Sequence, residues 1–448
     1  MRAQIDRLLM ALVRVAARLW FANVETVGRE RLPEDGPVVI VGSHFNGVLD
    51  ALLVAEASSR LPRFLAAGEF WDNPVVAGLL DLAGAVPVQR PRTGRTGPNT
   101  GMFEASFAAL AKGHAIALFP EGTTHDEPRI SEDRTGAARS ALGARSRGVR
   151  GVRIVPVGLV YQTTHRPRSR ALVRIGEPIE LDRELAEILG AGAADAEAVG
   201  AGEDNGQAVR ALTGEIRRRL ALAALDYEDA GVALAAAYAA RVWLRPDGAR
   251  RGWEPALDEV ERCARAIVAA PAERQRAVVD AMRLYSDQLS LLRLDDRDLV
   301  AGDLTTANVR WRLSRLLAVT AAAPAAAVGA AVNGPALAAI WGVGKLPVKR
   351  SMRGTRRILT GLALLPLSWG LLAWRLGRRR ELGQPGVLAL LAGPGCGLVA
   401  LNLFERLRAL IGARASFRRL RSAAAVLPAL ASARADVVEA VDRALHGV

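Results

Sequence analysis

VVIVGSHFNGVLDALLV, Val38–Val54, starts as an unbroken apolar, β-branched run and ends with helical patterning. The run Val38–Val41 reads as a buried strand, and Val48–Arg60 as the helix that follows it. The turn between them holds Ser43, His44, Phe45, Asn46 and Gly47, and Asp50 stands six positions after His44. A histidine beside an apolar run is most often a satisfied structural residue. The stretches further along the chain shift that reading.

Residues 36–180 repeat the alternation. Runs at Arg63–Ala66, Ala85–Val88, Ala115–Phe119 and Arg153–Val160 predict strands, and Pro74–Ala83 and Asn99–Lys112 predict helices. A further strand, Arg170–Ile175, precedes Gly176–Pro178. This is the pattern of an α/β domain with a largely parallel or mixed sheet. Ligands of open α/β sheets gather at the carboxyl ends of the strands.

Three chemical stretches sit at such ends. His44 and Asp50 follow the first strand; GAVPVQRPRTGR, Gly84–Arg95, places Arg90 directly after another; ALFPEGTTHDE, Ala117–Glu127, runs from a third into Glu121, Gly122 and Thr123. The fourth stretch, RIVPVGLVYQ, Arg153–Gln162, is an apolar strand containing Pro156 and Gly158. A histidine at a strand end suits general-base work, because its ordinary pKa is near neutrality. A carboxylate on its far nitrogen fixes the tautomer and stabilises the imidazolium. No serine or cysteine stands in a recognisable nucleophile elbow, which favours direct attack by a substrate hydroxyl. Arg90 can pair bidentately with a phosphate, and the Gly122 amide can donate to the same anion. Taken singly these signals are weak: an arginine after a strand is usually a solvated end, as Arg92 and Arg95 are on the plain reading. A glutamate between proline and glycine after a buried strand is the sharper one.

In order and spacing, the four stretches resemble the glycerolipid acyltransferase family, whose members acylate glycerol-3-phosphate or lysophosphatidic acid from acyl-CoA or acyl carrier protein. FPEGT, Phe119–Thr123, matches the family's third motif; GAVPVQR, Gly84–Arg90, looks like the second; IVPVG, Ile154–Gly158, looks like the fourth; SHFNGVLD looks like the first. Five residues separate His44 from Asp50 where most of the family has four. A branch resembling the fungal glycerol-3-phosphate and dihydroxyacetone-phosphate acyltransferases has the longer spacing, with asparagine two after the histidine as at Asn46. VRALTGEIRRRL, Val209–Leu220, and the apolar C-terminal stretches also resemble that branch. The resemblance implies His44 as general base, oriented by Asp50, with Asn46, Arg90, Glu121, Gly122 and Thr123 binding substrate. Glu121 would orient Arg90 or a substrate hydroxyl, since two anions repel. The reaction it implies needs no metal and no cofactor beyond the acyl thioester.

The rest of the chain fits a membrane setting. The chain has 448 residues, with 60 Lys+Arg against 46 Asp+Glu, a net charge of +14. That balance attracts anionic membrane lipid or nucleic acid. Aromatics are only 5% and no nucleic-acid-binding signature appears, so a nucleic-acid partner is not expected. Cys263 and Cys396 are too few and too separated for a disulfide framework, and no close pair among His44, His114, His125, His165 and His446 has zinc-ligand spacing. Leu8, Leu9, Leu12, Ala16, Leu19 and Trp20 recur at helical spacing among arginines, as in a basic helix lying on a membrane. The alternative is a helix packed on its own domain.

Leu316–Trp341, Ile358–Trp374 and Val387–Phe404 are apolar stretches near spanning length, broken by proline and glycine and flanked by arginine and lysine. The breakers suit hairpins as well as spans, but the positive-inside rule puts every basic flank in the cytoplasm, which hairpins dipping into one leaflet satisfy and simple alternating spans do not. An Ala-rich soluble bundle is the competing reading. The expected organisation is an amphipathic helix over 1–28, an acyltransferase α/β domain over 29–180 and a flexible insertion over 181–208. A helical region over 209–310, a hydrophobic membrane-associated region over 311–410 and a basic helical tail over 411–448 follow.

The expected activity is a membrane-associated transfer of a fatty acyl group to glycerol-3-phosphate or lysophosphatidic acid in phospholipid biosynthesis, with the site on the cytoplasmic side. Its partners are an acyl thioester, a glycerol phosphate or lysophospholipid acceptor, and anionic membrane lipids. The alternatives are another lysophospholipid or lipid hydroxyl as acceptor, or a non-catalytic membrane-remodelling protein.

Overall fold

The computed structural model describes residues 2–89, 99–122, 129–130, 134–163, 166–190, 206–250, 252–300, 306–346, 350–378 and 385–447. Arg90, Arg92, Arg95 and Thr123 lie outside them. The chain divides into two compact units, residues 1–228 with 348–355, and residues 229–347 with 356–448.

The first unit is built on an eight-stranded mixed sheet. Its strands are β1 (Asn23–Val27), β2 (Val38–Gly42), β3 (Arg63–Ala67), β4 (Val86–Val88), β5 (Ala115–Leu118), β6 (Arg153–Tyr161), β7 (Arg170–Ile175) and β8 (Ile179–Glu180). Their order is β1-β7-β6-β2-β5-β3-β4, with β8 also paired to β6. The central strand β2 runs parallel to both neighbours, with Val41 opposite Leu118 of β5 and Pro156 of β6. All five of its residues are buried. A strand covered on both faces needs apolar side chains at every position, so its sequence does not alternate. The β3–β4 and β3–β5 pairs are also parallel. The carboxyl ends of β2, β4, β5 and β6 therefore point the same way, and each is followed by or contains one of the four chemical stretches.

Among the described residues, helices α1 (Arg2–Trp20), α2 (Val48–Ala57), α3 (Pro74–Ala83), α4 (Thr100–Ala111), α5 (Gly136–Ser146), α6 (Leu181–Leu189) and α7 (Gly206–Ala223) belong to this unit. One core joins Val39, Val41, Ile116 and Ile154 of the sheet to Leu110 of α4, Ala141 of α5 and Leu212, Ile216 and Leu220 of α7. Val38 and Ile40 alternate to the opposite face and are equally buried.

Three features differ from the sequence expectation. The sheet begins before residue 29, because β1 pairs with β7 in register Asn23–Arg170. The α5 segment is a helix whose small residues Ala137, Ala138, Ala141 and Ala144 pack on the sheet. The insertion expected from 181 opens instead as helix α6, because Leu181 and Leu185 find the core; residues 191–205 lie outside the described residues.

In the second unit, α8 (Ala230–Leu244), α9 (Leu257–Ala269), α10 (Ala272–Leu291) and α15 (Leu427–His446) enclose Ile267, Val278, Tyr285, Val437 and Val441. The expected C-terminal tail thus supplies core. Next to α11 (Asp296–Val300), the buried Arg245 pairs with Asp296, which also accepts from Tyr285 Oη at 2.8 Å and Arg434 Nε at 3.1 Å. The apolar stretches form α12 (Thr306–Val343), α13 (Arg350–Gly377) and α14 (Pro385–Ser422), continuous through Pro324, Pro335, Pro366 and Pro394. Asn333, buried in α12, donates through Nδ2 to Gly329 O at 2.9 Å and Gly393 O at 3.2 Å, and accepts from Trp369 Nε1 at 2.8 Å. These bonds tie α12 to α13 and α14 through side-chain and main-chain polar groups. Leu313–Val343 and Arg353–Arg375 are long and apolar enough to cross a membrane.

Candidate active site

The peptide after β2 leaves the sheet at Ser43 and enters α2 at Val48. Ser43 fixes the exit: its N–H donates to Val157 O at 3.1 Å, and its Oγ accepts from Leu159 N at 3.0 Å, both on β6. Gly47 makes the bend with φ 57° and ψ −117°, a conformation that a residue with a Cβ rarely adopts. The extra residue between histidine and aspartate is accommodated in this turn, because Gly47 reverses the chain tightly enough for Asp50, in the first turn of α2, to face back to His44.

His44 Nδ1 lies 2.9 Å from Asp50 Oδ2. With that nitrogen protonated towards the carboxylate, Nε2 carries the lone pair. The imidazole stacks on Phe119, with ring centroids 4.4 Å apart and planes 12° from parallel. Its side chain keeps 13% of its surface exposed, whereas Asp50 has none. A buried carboxylate needs donors to replace water. Asp50 Oδ2 also accepts from Asn46 N at 2.6 Å, and Oδ1 accepts from the Tyr161 hydroxyl. Burial first, and then the Asp50 carboxylate, push the Tyr161 phenol well above its ordinary value, so it remains a protonated donor.

The FPEG turn closes against this loop. Glu121, 4% exposed, accepts from the His44 main-chain N–H through Oε1 at 2.8 Å. The sequence reading expected Glu121 to orient Arg90 or a substrate hydroxyl; this bond ties its carboxylate to the backbone of His44, and Arg90 lies outside the described residues. The Gly122 amide, expected to donate to a substrate anion, donates to Phe119 O at 3.1 Å inside its turn. Gly122 has φ +66°, and a Cβ there would come within 2.9 Å of Arg134 Nε. Asn46, expected at the substrate, is completely buried, and its main-chain N–H donates to Asp50 Oδ2.

Arg90 and Thr123 lie outside the described residues. The last described residue before Arg90 is held firmly: Gln89 N donates to Asn99 Oδ1 at 2.9 Å, and Asn99 Nδ2 donates to Gln89 O at 3.3 Å. In the fourth stretch, Gly158 faces α7, where a Cβ would meet Ala223 O at 2.0 Å. This glycine is required for close packing of helix on strand.

A sequence model of the family described as Acyltransferase matches residues 23–160, the stretch from β1 to the end of β6. The lyso-ornithine lipid O-acyltransferase of Brucella abortus (strain 2308) is 34% identical over 191 residues, covering 41% of this chain and 68% of that protein. The chain belongs to the glycerolipid acyltransferase family. Fungal relatives of this acyltransferase, expected from the His44–Asp50 spacing, are also found. Glycerol-3-phosphate O-acyltransferase 1 of Saccharomyces cerevisiae is 39% identical over 85 residues, which is 19% of this chain and 11% of that protein. The chain thus spans about two thirds of the bacterial relative and a small part of the fungal one. The solved 1-acyl-sn-glycerophosphate (LPA) acyltransferase from Thermotoga maritima aligns with a TM-score of 0.34 at 15% identity, over 50% of this chain and 82% of that one.

Two residues that bond the His44–Asp50 loop, Tyr161 and Thr355, escaped the motif reading. Tyr161 ends the strand that carries the fourth motif. Its signal was positional, since β6 pairs with β2 in parallel and so ends beside His44. Thr355 comes from far along the chain, and nothing in the local sequence marks it.

Proposed function

We propose that this chain is a membrane-associated O-acyltransferase that moves a fatty acyl group from a thioester, acyl-CoA or acyl carrier protein, to a hydroxyl of glycerol-3-phosphate or lysophosphatidic acid. The observation that carries this reading is His44, bonded through Nδ1 to a fully buried Asp50 and presenting Nε2 at the sheet's carboxyl edge. Nε2 takes the proton of the acceptor hydroxyl as its oxygen attacks the thioester carbonyl. The C–S bond then breaks, and the thiolate recovers the proton from the imidazolium. Asp50 stabilises that imidazolium and holds the ring in its tautomer. Glu121 fixes the main chain beneath it. Arg90 binds the acceptor phosphate, so that phosphate affinity becomes alignment of the hydroxyl. The reaction so written uses no metal and no redox cofactor.

Membrane association is supported by the two spanning-length helices and their ends. Lys345 lies 3.4 Å above the Trp341 ring and Arg378 3.9 Å above that of Trp374. Aromatic and basic residues at helix ends suit the membrane–water interface. The basic flanks favour a cytoplasmic-side active site facing anionic lipids.

The Brucella relative's printed acceptor supports a second reading, a lysolipid whose head group is an amino acid without phosphate. Labelled acyl-CoA offered with glycerol-3-phosphate, lysophosphatidic acid and lyso-ornithine lipid, to wild type, His44→Ala and Arg90→Ala, separates the two. Under the first reading turnover needs a phosphate acceptor and falls in both variants. Turnover of lyso-ornithine lipid that ignores Arg90→Ala would move the assignment to the second. Loss of the base is expected to cost about 10²–10⁴-fold, and full activity in His44→Ala would sink both.

A further inference from the structure

The first turn of α13 belongs with the first unit, although it lies about 300 residues beyond the His44–Asp50 loop. Thr355 in that turn is 2% exposed. Its Oγ1 accepts from Val48 N at 3.2 Å and donates to Asn46 O at 3.3 Å. Gly354 makes the approach possible: a Cβ there would come within 2.5 Å of Leu49 Cδ1 and 3.1 Å of Asn46 Oδ1.

The need for this contact follows from Gly47. A helix leaves its first N–H groups without intrahelical partners, and the residue before it normally supplies a side-chain oxygen. Position 47 holds glycine because of its φ and ψ, and no side chain caps α2 from there. The N–H groups of Leu49 and Asp50 reach the carbonyls of Asn46 and Gly47, each at 3.2 Å. That of Val48 reaches Thr355. The same hydroxyl holds the carbonyl of Asn46, whose N–H binds Asp50. One side chain thus spans the bend between the base and the carboxylate that orients it.

We infer that Thr355 is a positioning residue of the acyl-transfer site: its hydroxyl caps α2 from a distant part of the chain and holds the loop that sets the His44–Asp50 geometry. The inference rests on His44 as general base. The test uses the full chain in detergent. Thr355→Val removes the hydroxyl at nearly constant shape, and Thr355→Ser retains it. Thr355→Val is expected to lower kcat by up to about 10²-fold, the scale that a misplacement of about 1 Å costs, with KM little changed, while Thr355→Ser stays near wild type.

A second readout needs no acceptor. The pH dependence of His44 carbethoxylation, followed by peptide mass spectrometry, titrates the ring itself. The Nδ1 bond to Asp50 governs how the ring reacts, so Thr355→Val is expected to displace that pH profile, and Thr355→Ser to leave it in place. An unchanged His44 titration in Thr355→Val overturns the proposal, and so does Thr355→Ser behaving like Thr355→Val. If wild type turns over no acceptor with either acyl-CoA or acyl carrier protein as donor, the functional reading fails while the titration still decides the role of Thr355. Should Thr355→Val purify unfolded, Thr355→Ala replaces it and is judged by the same two readouts.

Discussion

Tyr161 carries the Asp50 oxygen that His44 does not use. Removing its hydroxyl leaves a buried carboxylate oxygen without a donor, which costs about 1–3 kcal/mol. Tyr161→Phe is therefore expected to lower the denaturant midpoint of the α/β unit while acyl transfer is reduced and not abolished, because the bond to His44 Nδ1 persists. Undiminished stability in the variant would show that the phenol contributes nothing to holding Asp50. At this scale the meeting of His44 with Asp50 and with the Glu121 turn was legible, because a histidine, a carboxylate and a glutamate between proline and glycine lie in short stretches at the ends of buried strands. What each polar atom bonds to was not legible. The Asn46 N–H is taken by Asp50 because the turn between His44 and Asp50 is closed by main-chain bonds. The Gly122 amide was absorbed by its own turn for the same reason: a buried N–H takes the nearest carbonyl.

Gly158 shows how an element boundary is set by backbone contact. It lies where the last turn of α7 crosses β6, and a methyl group there would overlap the Ala223 carbonyl at 2.0 Å. Backbone cannot yield as a side-chain tip does, so Gly158→Ala is expected to cost about 3 kcal/mol or more, at the upper end of overpacking penalties. Thermal unfolding measures it, and a loss within a few tenths of a kcal/mol would mean that α7 is free to shift. The buried strands β2, β5 and β6 were legible as continuous apolar runs. β1 was not, since NVETV at Asn23–Val27 is partly exposed and lacks such a run. It owes its place to pairing with β7, a contact that local pattern does not encode. The small residues of α5 gave a weak helical signal because alanines pack a helix close to a sheet without making an apolar stripe.

Across the whole molecule, two buried phenols bear on alkaline stability, one in each unit. Tyr161 is raised by burial and Asp50, and Tyr285 by burial and Asp296. Unfolded phenols titrate near pH 10. Above that value the folded state holds protons that the unfolded state has lost, so stability falls as pH rises further. Absorbance at 295 nm is expected to show these two of the four tyrosines ionising only as the chain unfolds; gradual ionisation of all four in a folded protein would contradict it. The two spanning-length helices lead to a further expectation: the protein stays in the membrane fraction through high-salt and alkaline carbonate washes and is released by detergent. Release by salt alone would leave only electrostatic surface binding. The apolar helices were legible from composition; that Pro324, Pro335 and Pro366 leave them unbroken was not, because proline's cost depends on what the neighbouring helix supplies. Last, Thr355 has a consequence for biosynthesis. Translation proceeds at about 5–20 residues per second, so the loop carrying His44 waits some 15–60 s before the residue that caps its helix has been made. From the synthesis of Gly158 onwards the nascent chain holds all four motif stretches without the hydroxyl that caps α2, and the His44–Asp50 loop gains that bond only as the second spanning-length helix is being synthesised.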